Sequence, residues 1–464
     1  MKKKRTIKRK FNYQKIFCFV SFIFILVCIF WYGGRAIYFY LDSKKTITAE
    51  ESTFARIVKT ANHDNDTFKQ INQTYYFYGD VTNNYVSYSN MIWRIVKVNK
   101  DNSIVLILDH VIGTLAYGDQ KTNYEESSIL SWLNSTEIEN SGIVENNLNQ
   151  KEQYLVKTST CIDQVDDIEK VTCEEKYDDY YLGLLSIDDY LNTGGTKSFI
   201  NNERYSYLAN KNKDNEIWYI TSEGKLDTTS GEDILGIKPT ITLSPTLELK
   251  SGTGTSDDPY QIEDSNGIFG SYVQLDHDLW RVYEEKDGIL KLILQDTLDT
   301  TEKVQSNSSQ TTGDDQEENT KLKYIYSKNN YYHNDTIYGS LAYYLNRTYL
   351  NRLSYKNIII ENNYANGYYG EDTSYQIENI FDHMIDTKVA LPSIHDIILN
   401  DTLDGYFTDT GASQNSSLVY IRKNSGTVSN KSVTAEAYVV PCISIAQENL
   451  KAGSGSQEDP YRTE

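Results

Sequence analysis

The chain is short of the residues that most often carry out chemistry. Its six His, at positions 63, 110, 277, 333, 383 and 395, are scattered, and neither an H-E-x-x-H pair nor a G-x-S-x-G elbow is present. A zinc-hydrolase helix and an α/β-hydrolase nucleophile are therefore not indicated. The five Cys lack C-x-x-C spacing and any partnering His cluster, which argues against a zinc site. Acid pairs such as Asp178-Asp179, Asp188-Asp189 and Asp257-Asp258 come without the ladder of alternating carboxylates that a calcium loop needs. Positive charge is scarce beyond the N-terminus. Of the 45 Lys and Arg and 65 Asp and Glu, residues 1–45 hold 11 basic residues and one acid, so the remainder carries 34 against 64, a net of −30. So negative a surface repels phosphate backbones, and nucleic acid is not an expected partner.

What is present begins with an address. Lys2, Lys3, Lys4, Arg5, Lys8, Arg9, Lys10 and Lys15 precede an uncharged run, "IFCFVSFIFILVCIFWYGG", at residues 16–34. As a helix this run is about 28 Å long, close to the roughly 30 Å of a bilayer core. The positive excess before it predicts a cytoplasmic N-terminus, with everything after Arg35 outside. No small-residue A-x-A pattern follows, and Val27 rather than a small residue precedes Cys28, so the run reads as an uncleaved signal anchor, with a cleaved signal peptide as the alternative. No L-P-x-T-G tail follows Tyr461, which leaves this helix as the only visible anchor. Cys161 and Cys173 lie in the exported part and can close a short loop there, for about 3 kcal/mol on the chain-entropy estimate.

Past the anchor the sequence repeats itself. "GTGTSDDPY" at 252–260 returns as "GSGSQEDPY" at 453–461. Aligning them brings Ile92-Trp93-Arg94-Ile95 onto Leu279-Trp280-Arg281-Val282, and "VLIL" at 105–108 onto "KLIL" at 291–294, each pair reading as a β-hairpin. Next, "SSILSWLN" at 127–134 meets "YGSLAYYLN" at 338–346, with apolar residues at helical spacing. "LLSIDDYL" at 184–191 meets "LPSIHDII" at 391–398, where Ser186 with Asp189 and Ser393 with Asp396 have capping-box spacing at the head of an expected helix. Two late strands follow, "EIWYI" with "SLVYI" and "GIKPTITL" with "YVVPCISI". The reading is α+β: an N-terminal transmembrane helix and then two tandem, homologous, β-rich modules with short helices. The divisions are a basic tail at 1–15, the span at 16–34, a stalk with a short helix at 35–73, a first module at 74–264 and a second at 265–464. A polar insertion at 306–319 is expected to be disordered.

The series S-x-L-x-W-L-N, L-L-S-x-x-D, a Trp-bearing strand and G-x-K-P resembles a bacterial domain of unknown function found in surface and secreted proteins of Gram-positive bacteria. The likeness covers about residues 75–263 fully and 268–464 less well. The motif order is also similar to C-type-lectin-like and sulfatase-modifying-factor-like folds, which the resemblance implies as the architecture. This chain departs from the pattern at two Arg positions. The Arg of the family's W-W-L-R-S strand is Ile220 or Thr221 in the first copy and falls near Arg422 in the second, and the Arg of G-V-R-P is Lys238 and Val440.

The polar residues common to both copies include no His or Cys, and Ser without a poised base is a weak nucleophile. No catalytic residue, metal or cofactor is therefore expected, and the chain reads as no enzyme. Ser186, Asp189, Ser393 and Asp396 are read as helix caps, and Trp93 and Trp280 as core. The Tyr-rich loops at 176–181 and 329–335, with Tyr177, Tyr180, Tyr181, Tyr331 and Tyr332, are the candidate contact residues, because Tyr supplies large contact area at low entropy cost. The expected function is a membrane-anchored surface protein whose modules bind an extracellular protein or glycan, or space such a site from the membrane. The alternatives are an exported enzyme with a site in only one module and a structural envelope component.

Overall fold

A computed structural model describes residues 53–118, 122–134, 147–263, 267–298, 324–326, 340–381, 383–399, 403–413 and 417–464. The predicted span at 16–34, the insertion at 306–319, and Tyr331 and Tyr332 lie outside the described residues. Among the described residues no helix is long and apolar enough to cross a membrane. The described chain is mostly sheet with a few short helices, and Thr53–Glu464 forms one compact unit.

The unit starts with helix α1 (Phe54–Ala61), whose Phe54, Ala55 and Val58 are buried. Phe54 packs edge-on against Tyr260, with ring centroids 5.1 Å apart, and its N–H donates to the Leu247 carbonyl at 2.7 Å. A hairpin of Phe68–Ile71 and Thr74–Phe77 follows and joins the large sheet. From Thr53 onward, the segment expected as stalk is part of the folded body.

In the first half, β1 (Tyr85–Tyr88), β2 (Met91–Val98) and β3 (Ile104–Leu108) form a meander, β4 (Leu155–Val156), β5 (Leu182–Leu184) and β6 (Pro239–Leu243) extend the sheet, and Tyr260–Gln261 pairs in parallel with β1. Strand β6 pairs with β3, β4 and β5. The second half rebuilds the same arrangement from β7 (Tyr272–Leu275), β8 (Asp278–Lys286), β9 (Ile289–Leu294), β10 (Ile359–Ile360), β11 (Val389–Ala390) and β12 (Cys442–Ala446). Here β12 pairs with β9, β10 and β11. Register agrees residue by residue. Trp93 faces Leu108 as Trp280 faces Leu294, and both strands bulge two residues later, between Ile95 and Lys97 and between Val282 and Glu284. Both Trp side chains are fully buried.

Local chemistry explains the hairpins. Ser89-Asn90 and Asp287-Gly288 are two-residue loops with positive φ at both positions, the primed turn whose twist matches the strands it joins. Helices α2 (Ser128–Asn134) and α4 (Leu341–Tyr344) are tied to the sheet by the Asn of the shared Leu-Asn pair. Asn134 donates to the carbonyls of Leu130 and Leu182 and accepts from the Leu182 N–H at 3.0 Å. Asn346 repeats this with Ala342 and Val389. The repeated closing peptides also have a structural role. Gly252 and Gly453, at φ +92° and +95°, have no room for a Cβ beside the carbonyls of Pro259 and Pro460. Gly254 and Gly455 then accept from the N–H of Tyr85 and Tyr272, both at 2.8 Å, so each closing peptide lies against the first strand of its own half.

Helix α3 (Ile187–Asn192) follows Ser186, whose Oγ accepts from the Asp189 N–H at 3.2 Å, but the Asp189 carboxylate closes no capping box, because it accepts from Lys97 at 2.6 Å and from the Tyr76 hydroxyl at 3.1 Å. The helix expected from Ser393 is not formed. The carbonyls it would need are engaged elsewhere. Arg422 donates to those of Ser393, Ile394 and Asp396, and Trp132 Nε1 donates to that of His395 at 2.9 Å. Ser393 and Asp396 still pair, the Ser393 N–H donating to Asp396 Oδ2 at 2.7 Å, but they close a turn and cap no helix.

The halves are joined through a shared sheet. Its strands run Tyr406–Gly411, Leu418–Lys423, Thr427–Ser432, Leu235–Ile237 and Gly113–Leu115, three from the second half and two from the first. Arg281 adds a polar link, donating to the carbonyls of Gly270, Asn90 and Leu399.

Candidate functional site

The predicted contact residues are less open than their loop position implies. Tyr177, Tyr180 and Tyr181 are half-buried and pack against the core, with Tyr177 5.3 Å from Tyr180 and 5.9 Å from the buried Tyr124. Cys161 and Cys173 form a disulfide, with Cα atoms 5.3 Å apart. The loop it closes drops Val165 and Val171 onto an apolar cluster of Val96, Val105, Ile107, Leu185, Ile187 and Tyr190 on one face of the first-half sheet.

The first-half face also holds a buried ion pair of Lys97 with Asp189 at 2.6 Å, and the second half carries a different set of groups on the same face, with Glu284 in the place of Lys97. In register, Val96 is replaced by Tyr283, Val105 by Lys291, Thr240 by Cys442 and Thr242 by Ser444. In place of the covering loop there is a groove of about 340 Å³, lined in part by Glu284, Lys291, Asn362, Asn363, Phe381 and Met384. Two of these come from the β8–β9 pair, where Glu284 and Lys291 are cross-strand partners joined by an ion pair at 3.1 Å. The Asn residues and Met384 come from a small antiparallel pair, Asn362–Ala365 with Met384–Thr387. Phe381 ends the short helix Glu378–Phe381 that leads into it.

A buried polar network supports this lining from behind. Asn362 Nδ2 donates to Ser444 Oγ at 2.9 Å, and Ser444 Oγ shares a hydrogen bond of 2.6 Å with the Tyr364 hydroxyl. Phe381 meets His395 edge-on, with ring centroids 4.5 Å apart. His395 Nδ1 is bonded to Ser393 Oγ, and its Nε2 lies 3.4 Å from Asp396 Oδ1. Burial depresses the His395 pKa to about 4, against the pull of Asp396 and with Lys291 and Arg422 adding to the depression. Burial also pushes the Cys442 thiol and the Tyr283 and Tyr364 hydroxyls well above their ordinary values, so these groups are neutral.

Ser393, His395 and Asp396 bring a hydroxyl, an imidazole and a carboxylate together, the group types of nucleophilic catalysis. Their exposures are 1%, 4% and 6%, and the hydrogen bonds they make are those of a turn beneath Phe381. Among the described residues no group of three His, Cys, Asp or Glu is placed to hold a metal ion. The groove residues escaped sequence reading, although a signal existed. Lys291 replaces Val at the head of a repeated apolar strand, and a charge appearing in one copy of such a strand marks a changed environment. No protein-family model, characterised protein or solved structure matches the chain.

Proposed function

We propose that the chain is a single-pass membrane-anchored surface protein, cytoplasmic at its N-terminus, that captures an extracellular ligand in the second-half groove. In this reading the first half is a scaffold. The basic tail followed by an apolar run supports the anchor. The Cys161–Cys173 disulfide fits an oxidising exterior. The motif likeness to Gram-positive surface proteins points the same way. One observation carries the binding reading: two halves of matching topology differ at one face, covered by the disulfide-closed loop in the first and left as a concave groove in the second.

The test is glycan-array and pull-down binding of residues 46–464 carrying Asn363→Ala or Met384→Lys. Both side chains are exposed on the groove, Met384 at 37%, so neither change disturbs the core. Capture is expected to fall by on the order of tenfold in each. Undiminished capture in both variants sinks this reading.

Ser393 beside His395 favours a second reading, an exported hydrolase with its site in one half only. A fluorophosphonate probe separates the two. A binding protein leaves Ser393 unlabelled, whereas labelling abolished by Ser393→Ala establishes the enzyme.

A further inference from the structure

We propose that the groove accepts a neutral pyranose sugar, its apolar face laid on Phe381 and its hydroxyls held by Asn363, Lys291 and Glu284. This ligand class rests on the groove being the binding site. Each sugar hydroxyl both donates and accepts, so a sugar needs both kinds of partner around its rim. The groove supplies them: the Lys291 ammonium donates, the Glu284 and Asp287 carboxylates accept, and the Asn363 amide does both. Charge is balanced, because the two carboxylates are matched by Lys286 and Lys291. A site with no surplus of either sign has no particular attraction for a phosphate, a uronate or a cation.

The apolar part of the lining suits the other half of a sugar's chemistry. A pyranose has a flat face of C–H groups, and an aromatic ring offers a matching surface. Phe381 is half-exposed and held from beneath by His395 at 4.5 Å and 72°, and Met384 adds a second apolar side chain to the lining. The polar groups are likewise set before any ligand arrives. Lys291 is held by Glu284 at 3.1 Å, Asn362 by Ser444 at 2.9 Å, and the Asn363 amide by Asp386, its Nδ2 donating to Asp386 Oδ1 at 2.9 Å and keeping a second N–H and its oxygen for a ligand. Groups already ordered lose little freedom on binding, which is how a small wet ligand gains affinity. A volume of about 340 Å³ is at the small end for ligand pockets and holds one or two sugar rings. It is also too small and concave to be the centre of a flat protein interface.

The full chain in detergent micelles is titrated, with ligand-observed NMR as the readout, against four probe sets: neutral mono- and disaccharides, the matching uronic acids, inorganic phosphate, and tripeptides. At least one neutral sugar is expected to bind. Phe381→Ala and Asn363→Ala are expected to weaken it on the order of tenfold or more, Phe381→Trp to retain it, and Glu223→Gln, at an exposed position of the first half, to leave it unchanged. Asn363 is exposed, so its variant keeps the test valid even if Phe381→Ala disturbs packing over His395. Binding of uronates, phosphate or peptides alone, lost in the same two variants, overturns the sugar class while leaving the groove as the site. Neutral-sugar binding that survives both variants overturns the groove reading itself. Absence of any neutral-sugar binding also overturns the proposal.

Discussion

At the scale of single residues, His395 shows what burial does to a titrating group. Its folded pKa of about 4 lies below the ordinary 6.5, because a charged imidazole in this site would lose its hydration. Asp396 alone favours the charged form, while Lys291 and Arg422 oppose it. Between those two values the unfolded chain binds a proton that the folded chain refuses. Stability therefore falls as pH drops through that window and levels off below about 4, for a loss of roughly 3 kcal/mol from this residue. Urea denaturation at a series of pH values checks this. His395→Gln is expected to remove the slope in that window, and an unchanged slope would show that another group carries it. Arg422 is the residue whose role was least visible in the sequence. In the sequence it stands out only as a match to an Arg of the resembling family. In the fold one of its nitrogens reaches the carbonyls of Ser393, Ile394 and Asp396, a set of contacts that no local pattern encodes.

At the scale of elements, the repeated hairpins and closing peptides were legible because their determinants are local. Alternation around each Trp, two-residue loops with positive φ and the Gly-x-Gly spacing all act within a few residues. Helix α3 was legible for the same reason, from its Ser186 cap and apolar spacing. Its counterpart was not. The 391–398 segment has the same cap and period, but Arg422 and Trp132, the latter in the other half, take the carbonyls that helical hydrogen bonds would use. Tertiary bonds outweighed local propensity there. The groove was illegible as a groove, since its walls come from three separate stretches of the second half. The disulfide loop carries the element-scale prediction. Closing a 12-residue separation over an apolar cluster should contribute about 3 kcal/mol. A double Cys161→Ser, Cys173→Ser variant should melt at lower temperature by several degrees, and reductant should lower the native chain to match. Melting temperatures that agree for all three would show the loop is held without its bond.

At the scale of the whole molecule, the two halves are alike in strand order and yet share hydrogen bonds and core. Leu235 of the first half pairs with Thr427 of the second, the Tyr369 hydroxyl of the second half accepts the Ala116 N–H of the first at 2.9 Å, and one apolar cluster runs through both. Cutting between them would expose a sheet edge and apolar surface on each piece. Residues 46–464 are thus expected to unfold in one cooperative transition, with circular dichroism and Trp fluorescence giving coincident curves, and residues 265–464 alone to aggregate. Two separated transitions would mean the halves are energetically independent.

The closing peptides have one more implication. Because Gly254 and Gly455 bond Tyr85 and Tyr272, the backbone leaves each half beside the place where it came in. A body whose way out adjoins its way in can be copied along a polypeptide without rerouting any strand. Once two copies existed, one could keep the framework intact while the other was free to trade greasy side chains for wet ones.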